Sequence, residues 1–135
     1  MQVVANASPI MNLAIIGRLD LLNHVFGDVM IPEAVWHEVV VDGVGHPGVS
    51  EIESAAWLHV VPAKNGSLVR ALRQELDAGE AEAIALAVES KADLLVMDEK
   101  IGRETAAFLG VEVMGLVGVL YRRNRKALLQ PLALS

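Results

Sequence analysis

In this 135-residue chain Asn6, Ser8, Asp98 and Glu99 directly follow short apolar runs, and Glu38 and Glu80 lie near the beginnings of candidate helices. Carboxylates that converge from distant parts of a sequence are costly to desolvate unless they share a cation or a proton. Hard divalent cations such as Mg²⁺ take oxygen ligands and keep several waters, so two or three carboxylates suffice to hold one. A metal so held lowers the pKa of bound water and stabilises charge on a phosphodiester under attack. That chemistry needs no protein nucleophile. The alternatives are poorly supplied: the chain has no cysteine, and its four histidines show no metal spacing.

These residues must be positioned by strands and helices in alternation. Residues 2–5 form a short β-like run, broken by Asn6-Ala7-Ser8-Pro9. Pro9 in a first helical turn, with Ser8 as a potential cap, predicts a strand-to-helix junction and a helix over 10–16. A short helix over 19–26 and a strand over 28–31 follow, and Pro32 opens a helix that carries Glu38. Three glycines and a proline make 42–48 a loop, and 57–61 is a candidate edge strand. Helices over 67–76 and 79–90, a strand over 93–97, a helix over 100–109, a strand over 111–114 and a helix from 116 toward 126 complete the chain. Such alternation implies a parallel sheet covered on both faces. In such sheets ligands bind beyond the carboxyl ends of the strands, where strand order reverses. Of seventeen acids, that rule selects Asp98 and Glu99 after a strand, and Glu38 and Glu80 near helix beginnings.

Composition agrees with one α/β domain spanning residues 1–135. Apolar residues make up 53% and aromatics only 4%, so the core must be aliphatic, as buried parallel strands are. No apolar run reaches the ~20 residues needed to span a bilayer, and no basic secretory leader opens the sequence, so a cytoplasmic protein is expected. The net charge of −6 argues against a broad basic nucleic-acid surface. It is compatible with a site that becomes attractive to phosphate once loaded with a cation.

Four segments carry a family resemblance: Val3-Val4-Ala5-Asn6-Ala7-Ser8-Pro9-Ile10, Ile31-Pro32-Glu33-Ala34-Val35-Trp36-His37-Glu38-Val39, Gly79-Glu80-Ala81-Glu82-Ala83-Ile84-Ala85-Leu86-Ala87 and Ala92-Asp93-Leu94-Leu95-Val96-Met97-Asp98. In this order, across nearly the whole chain, they resemble the PIN domains of VapC-type toxins in toxin–antitoxin modules. The resemblance implies a three-layer α/β fold, with a mostly parallel twisted sheet flanked by helices. It further implies a ribonuclease dependent on Mg²⁺ or Mn²⁺, an antitoxin partner and a homodimer. The family's acids map to Asn6, Glu38, Glu80 and Asp98 and its hydroxyl to Ser8, with Glu82 the alternative third acid and Glu99 beside the fourth. Glu80 is preferred to Glu82 because a helix start suits an anion, and the two lie about 200° apart around a helix. Asn6 departs from the Asp usual at its position: an amide oxygen still coordinates Mg²⁺ but adds no negative charge.

Each residue also has a plainer role open to it. Asp98 could cap the helix that follows it, Glu80 could complement a helix dipole, and Asn6 and Ser8 could be turn or cap residues. Arg103, five residues past Asp98, is a candidate for RNA phosphate, and Arg122, Arg123, Arg125 and Lys126 suit a helix end or a phosphate backbone. A catalytically weak PIN-like binding module is the competing function, motivated by Asn6. A phospho-acceptor receiver domain lacks its adjacent acids after the first strand, and a dinucleotide-binding enzyme lacks its G-x-G-x-x-G there.

Overall fold

The computed structural model describes residues 1–129, with side chains as far as Arg123. Among these, five strands form one sheet: β1 (Val3–Ala5), β2 (Val29–Ile31), β3 (Leu58–Val60), β4 (Leu94–Val96) and β5 (Val113–Met114). Their order is β3-β2-β1-β4-β5, and every pairing is parallel. The sheet expected as mostly parallel is therefore wholly so among the described residues.

The strands are apolar without alternation because both faces are covered. Val3, Ala5, Leu94 and Val96 point into one core with Ile10, Leu13, Leu22, Val35, Ile52 and Val119. Val4, Leu95 and Met97 point into the other, with Leu72, Ile84, Leu86 and Ala106. The first core is filled from α1 (Ala7–Ile15), α2 (Asp20–Phe26), α3 (Glu33–Trp36), α4 (Val49–Ser54) and α8 (Leu116–Leu129). The second is filled from α5 (Gly66–Leu72), α6 (Ala78–Glu89) and α7 (Lys100–Phe108). Helices, sheet and helices make the three layers of the expected α/β fold.

Several details differ from the sequence expectation. The first helix starts at Ala7 rather than residue 10, with Asn6 in the N-cap position. Pro9 is tolerated there because the third helical residue has no intrahelical acceptor for an N–H. Ser8 consequently lies inside the helix, exposed, and does not cap it. Residues 49–54, which the sequence left unassigned, form α4. The helix opened by Pro32 does not continue as an α-helix: from His37 to Val41 it widens into a π-helical turn. Arg122 stacks over Phe26, 5.9 Å from its ring centre, which spends one cation of the basic run on packing. Arg125 and Lys126 of that run lie outside the described side chains.

Candidate metal centre at the carboxyl edge of the sheet

β1 is the switch point of the sheet: the chain leaves it toward β2 and β3 on one side and returns to β4 and β5 on the other. Asn6 stands at its carboxyl end, its backbone N–H donating to Val96 O across to β4 at 2.9 Å. The residue is only 5% exposed. Its Oδ1 is buried without a hydrogen-bond partner, and it makes no cap bond to α1. A buried amide oxygen left unpaired costs about 1–3 kcal/mol, so this atom is placed to accept from a water or to coordinate a cation.

Glu38 is delivered from the neighbouring strand. β2 ends at Ile31, Pro32 turns the chain into α3, and the π-helical turn that follows carries Glu38. Turns of this kind add one residue per turn and concentrate at functional sites. The carboxylate lies against Gly79 at the start of α6, where an added Cβ would stand 3.0 Å from Glu38 Oε1 and 3.6 Å from Asp77 Oδ1. Burial pushes the Glu38 carboxyl above its ordinary range, and repulsion from Asp77, Glu80 and Asp42 pushes it further.

Glu80 enters at the N-terminus of α6, which lies at this edge because α6 runs back toward the start of β4. It forms a capping box with Asp77: Glu80 N donates to Asp77 Oδ1 at 2.8 Å and Asp77 N donates to Glu80 Oε1 at 3.0 Å. Burial raises the Glu80 carboxyl; the backbone hydrogen bond from Asp77 opposes that, and the charges of Asp77 and Glu99 add to it. Asp77 was not among the acids selected from sequence, although Asp77-Ala78-Gly79-Glu80 has the capping-box spacing that would have flagged it. Glu82 is turned elsewhere, accepting from Ala34 N at 3.1 Å at the start of α3.

Asp98 and Glu99 divide the labour at the end of β4. Glu99 caps α7, accepting from Ile101 N at 3.1 Å and Gly102 N at 2.5 Å. Asp98 does not cap the helix that follows it; its Oδ1 accepts from Leu116 N at 2.7 Å, at the start of α8. Gly115 makes room for this. A Cβ there would stand 2.8 Å from Asp98 Oδ1 and 3.5 Å from Arg103 Nη1, so the carboxylate and the guanidinium flank one glycine.

Glu38, Asp42, Asp77, Glu80 and Glu99 thus form one electrostatic group, while Asp98 sits with Arg103 on the β5 side and Ser8 is exposed on α1. Among the described residues no three His, Asp or Glu side chains are arranged to hold a metal by themselves. A hard cation that keeps its waters needs fewer. One orphaned amide oxygen and carboxylates in mutual repulsion at the same edge of the sheet are donors of the kind that fit it.

Comparison with known proteins bears on this edge. A family model, DUF3368, a PIN domain, matches residues 2–133. The chain belongs to the PIN-domain family. PIN domains are typically nuclease folds, which makes a nuclease-type hydrolase the coarse reading of this member. Among solved structures, the fold is similar to a PilT N-terminus domain protein from the hyperthermophilic archaeon Sulfolobus solfataricus P2. The TM-score is 0.62 at 21% identity, over 91% of this chain and 93% of that one. No curated protein matches the sequence. No helix among the described residues is long and apolar enough to cross a membrane.

Proposed function

We propose that this PIN domain is an endoribonuclease dependent on Mg²⁺ or Mn²⁺, acting in the cytoplasm as the toxin of a toxin–antitoxin pair. The observation that carries the reading is the buried, unpartnered Asn6 Oδ1 at the sheet's switch point, at the same carboxyl edge as Glu38 and Glu80, whose carboxyls are both raised. An amide oxygen and two crowded carboxylates are relieved together by a shared cation.

Asn6, Glu38 and Glu80 would hold the ion, and Asp98 would join them from the end of β4. When bound, the cation supplies a water of lowered pKa and offsets charge on the phosphate. Asp77 positions Glu80 through the capping box, Gly79 leaves the Glu38 carboxylate its space, and Glu99 holds the α7 end of the rim. Ser8 is a supporting hydroxyl at the start of α1, and Arg103, beside Asp98, meets an RNA phosphate. The antitoxin partner and the homodimer rest on the likeness of the four segments to VapC-type toxins.

The test is cleavage of a structured RNA panel with Mg²⁺, Mn²⁺ or EDTA, by the wild type and by Asp98→Asn. Metal-dependent cuts that Asp98→Asn abolishes support the proposal; equal cutting by both proteins removes it. A catalytically weak binding module is the second reading, favoured by the uncharged Asn6 and by the lack of a ready three-acid cluster among the described residues. Calorimetry with Mn²⁺ separates the two, since a binding module releases no heat at millimolar metal.

A further inference from the structure

Next to Asp98, α7 and β5 border an open cleft of about 520 Å³. Its volume lies within the ~300–1,000 Å³ typical of small-molecule sites. We infer that this cleft is a nucleotide subsite that holds the RNA residue adjoining the cut phosphodiester and prefers guanine there. The inference rests on the ribonuclease reading for its place along the substrate, and on the cleft's own chemistry for the base.

Ala107, Val111 and Val113 give the cleft an apolar wall that suits the face of a base. Lys100 and Arg103 supply two cations from α7, and Asp98, at the carboxyl end of β4, marks the end of the cleft that would adjoin the reacting phosphate. Glu104 and Glu112 add carboxylates to the lining. Among the described residues the side chains of Lys100, Arg103, Glu104 and Glu112 make no hydrogen bond or close ion pair, which leaves them available to a ligand. The two cations can draw a phosphate, and the two glutamates offer acceptors to the donors of a base. In the inferred pose the phosphate lies toward Arg103 and the edge of the base meets a glutamate.

Base preference follows from donor counting. An ionised carboxylate only accepts hydrogen bonds. Guanine presents two adjacent donors on its Watson–Crick edge, N1–H and the N2 amino group, which one carboxylate receives together. Adenine and cytosine present one amino donor beside a ring acceptor, and uracil one N–H between two carbonyls. An unstacked base in single-stranded RNA exposes that edge for reading.

The experiment is methyl NMR of the full chain in EDTA, titrated separately with the four nucleoside 5′-monophosphates. GMP at millimolar concentration is expected to shift the Val111 and Val113 methyls, with affinity about tenfold above that of AMP, CMP or UMP, one good bidentate pair being worth about that much. The exposed pair Glu104→Gln/Glu112→Gln erases the difference between bases, and Arg103→Gln weakens all four alike. Silent methyls, or equal shifts with all four nucleotides in the wild type, overturn the inference. RNA cleavage with Mn²⁺ is read in parallel. Cutting with silent methyls removes the subsite and leaves the nuclease; a GMP response without cutting supports the cleft and removes the nuclease.

Discussion

The Glu38 carboxylate rests against the bare backbone of Gly79, so closely that a methyl there would stand 3.0 Å from Oε1. In the first turn of a helix, Gly→Ala ordinarily stabilises by reducing the freedom of the unfolded chain, by about 0.4–1 kcal/mol. At Gly79 the same methyl must push the carboxylate aside. Gly79→Ala is therefore expected to keep or raise the melting temperature while lowering Mn²⁺ affinity and RNA cleavage by about tenfold or more, as displaced supporting groups do. Thermal melts and Mn²⁺ calorimetry on the same preparation check it. Unchanged Mn²⁺ affinity would show that Glu38 has no part in holding a metal.

The raised Glu38 and Glu80 carboxyls carry a pH signature. An acid held above its unfolded value of 4.5 binds its proton more tightly in the folded state, so ionising it costs stability. The stability it lends is complete below pH 4.5 and is lost as pH rises through the raised folded value. At neutral pH both acids therefore strain the metal-free fold. Glu38→Gln is expected to melt about 1–3 °C above the wild type at pH 7.5, with the gap closing as pH falls toward 4.5. Millimolar Mn²⁺ is expected to raise the wild type more than the variant. Scanning calorimetry across pH, with and without metal, reads both effects; a gap that widens on acidification would contradict the assigned direction.

What could be read from the residues, and what could not, follows the range of the interactions. The strands were legible because burial on both faces leaves an uninterrupted apolar run, as in Val3-Val4-Ala5 and Leu94-Leu95-Val96. Their carboxyl ends then pointed to Asn6 and Asp98 by a general rule of parallel sheets. Which helix Asp98 serves was not legible. Local spacing favours α7, but Glu99 takes that cap, and Asp98 reaches Leu116, eighteen residues away, through space left by Gly115. The meeting of Glu38 with Gly79 depends on a π-helical turn and on the packing of α3 against α6, and neither leaves a period in the sequence. Asp77 is the contrary case, since its signal was local.

Asp98 has a structural bond that can be separated from its proposed chemistry. Its Oδ1 accepts from Leu116 N, and an asparagine keeps that acceptor while losing the charge. Asp98→Asn is expected to melt with the wild type and to lose RNA cleavage. Asp98→Ala loses both, with a stability cost of about 1 kcal/mol for the missing cap. Melting curves and cleavage rates for the pair check this. If Asp98→Asn still cuts at the wild-type rate, Asp98 is a cap and nothing more.

Asn6→Asp tests whether the buried oxygen at the switch point is a ligand position. The new carboxylate would be buried, without a hydrogen-bond partner for Oδ1 and at the edge where Glu38 and Glu80 already crowd each other. Without metal it must either remain protonated or sit as an uncompensated charge, and either state costs stability. The metal-free variant is expected to melt several degrees below the wild type at pH 7.5, with the deficit shrinking on acidification. With Mn²⁺ the sign reverses, because a cation neutralises the added charge. The variant is then expected to bind Mn²⁺ about tenfold more tightly or better and to cut RNA at least as fast as the wild type. Metal titrations followed by melting temperature measure both halves. A variant that melts low and gains nothing from millimolar Mn²⁺ would mean that Asn6 is a buried junction residue facing no cation.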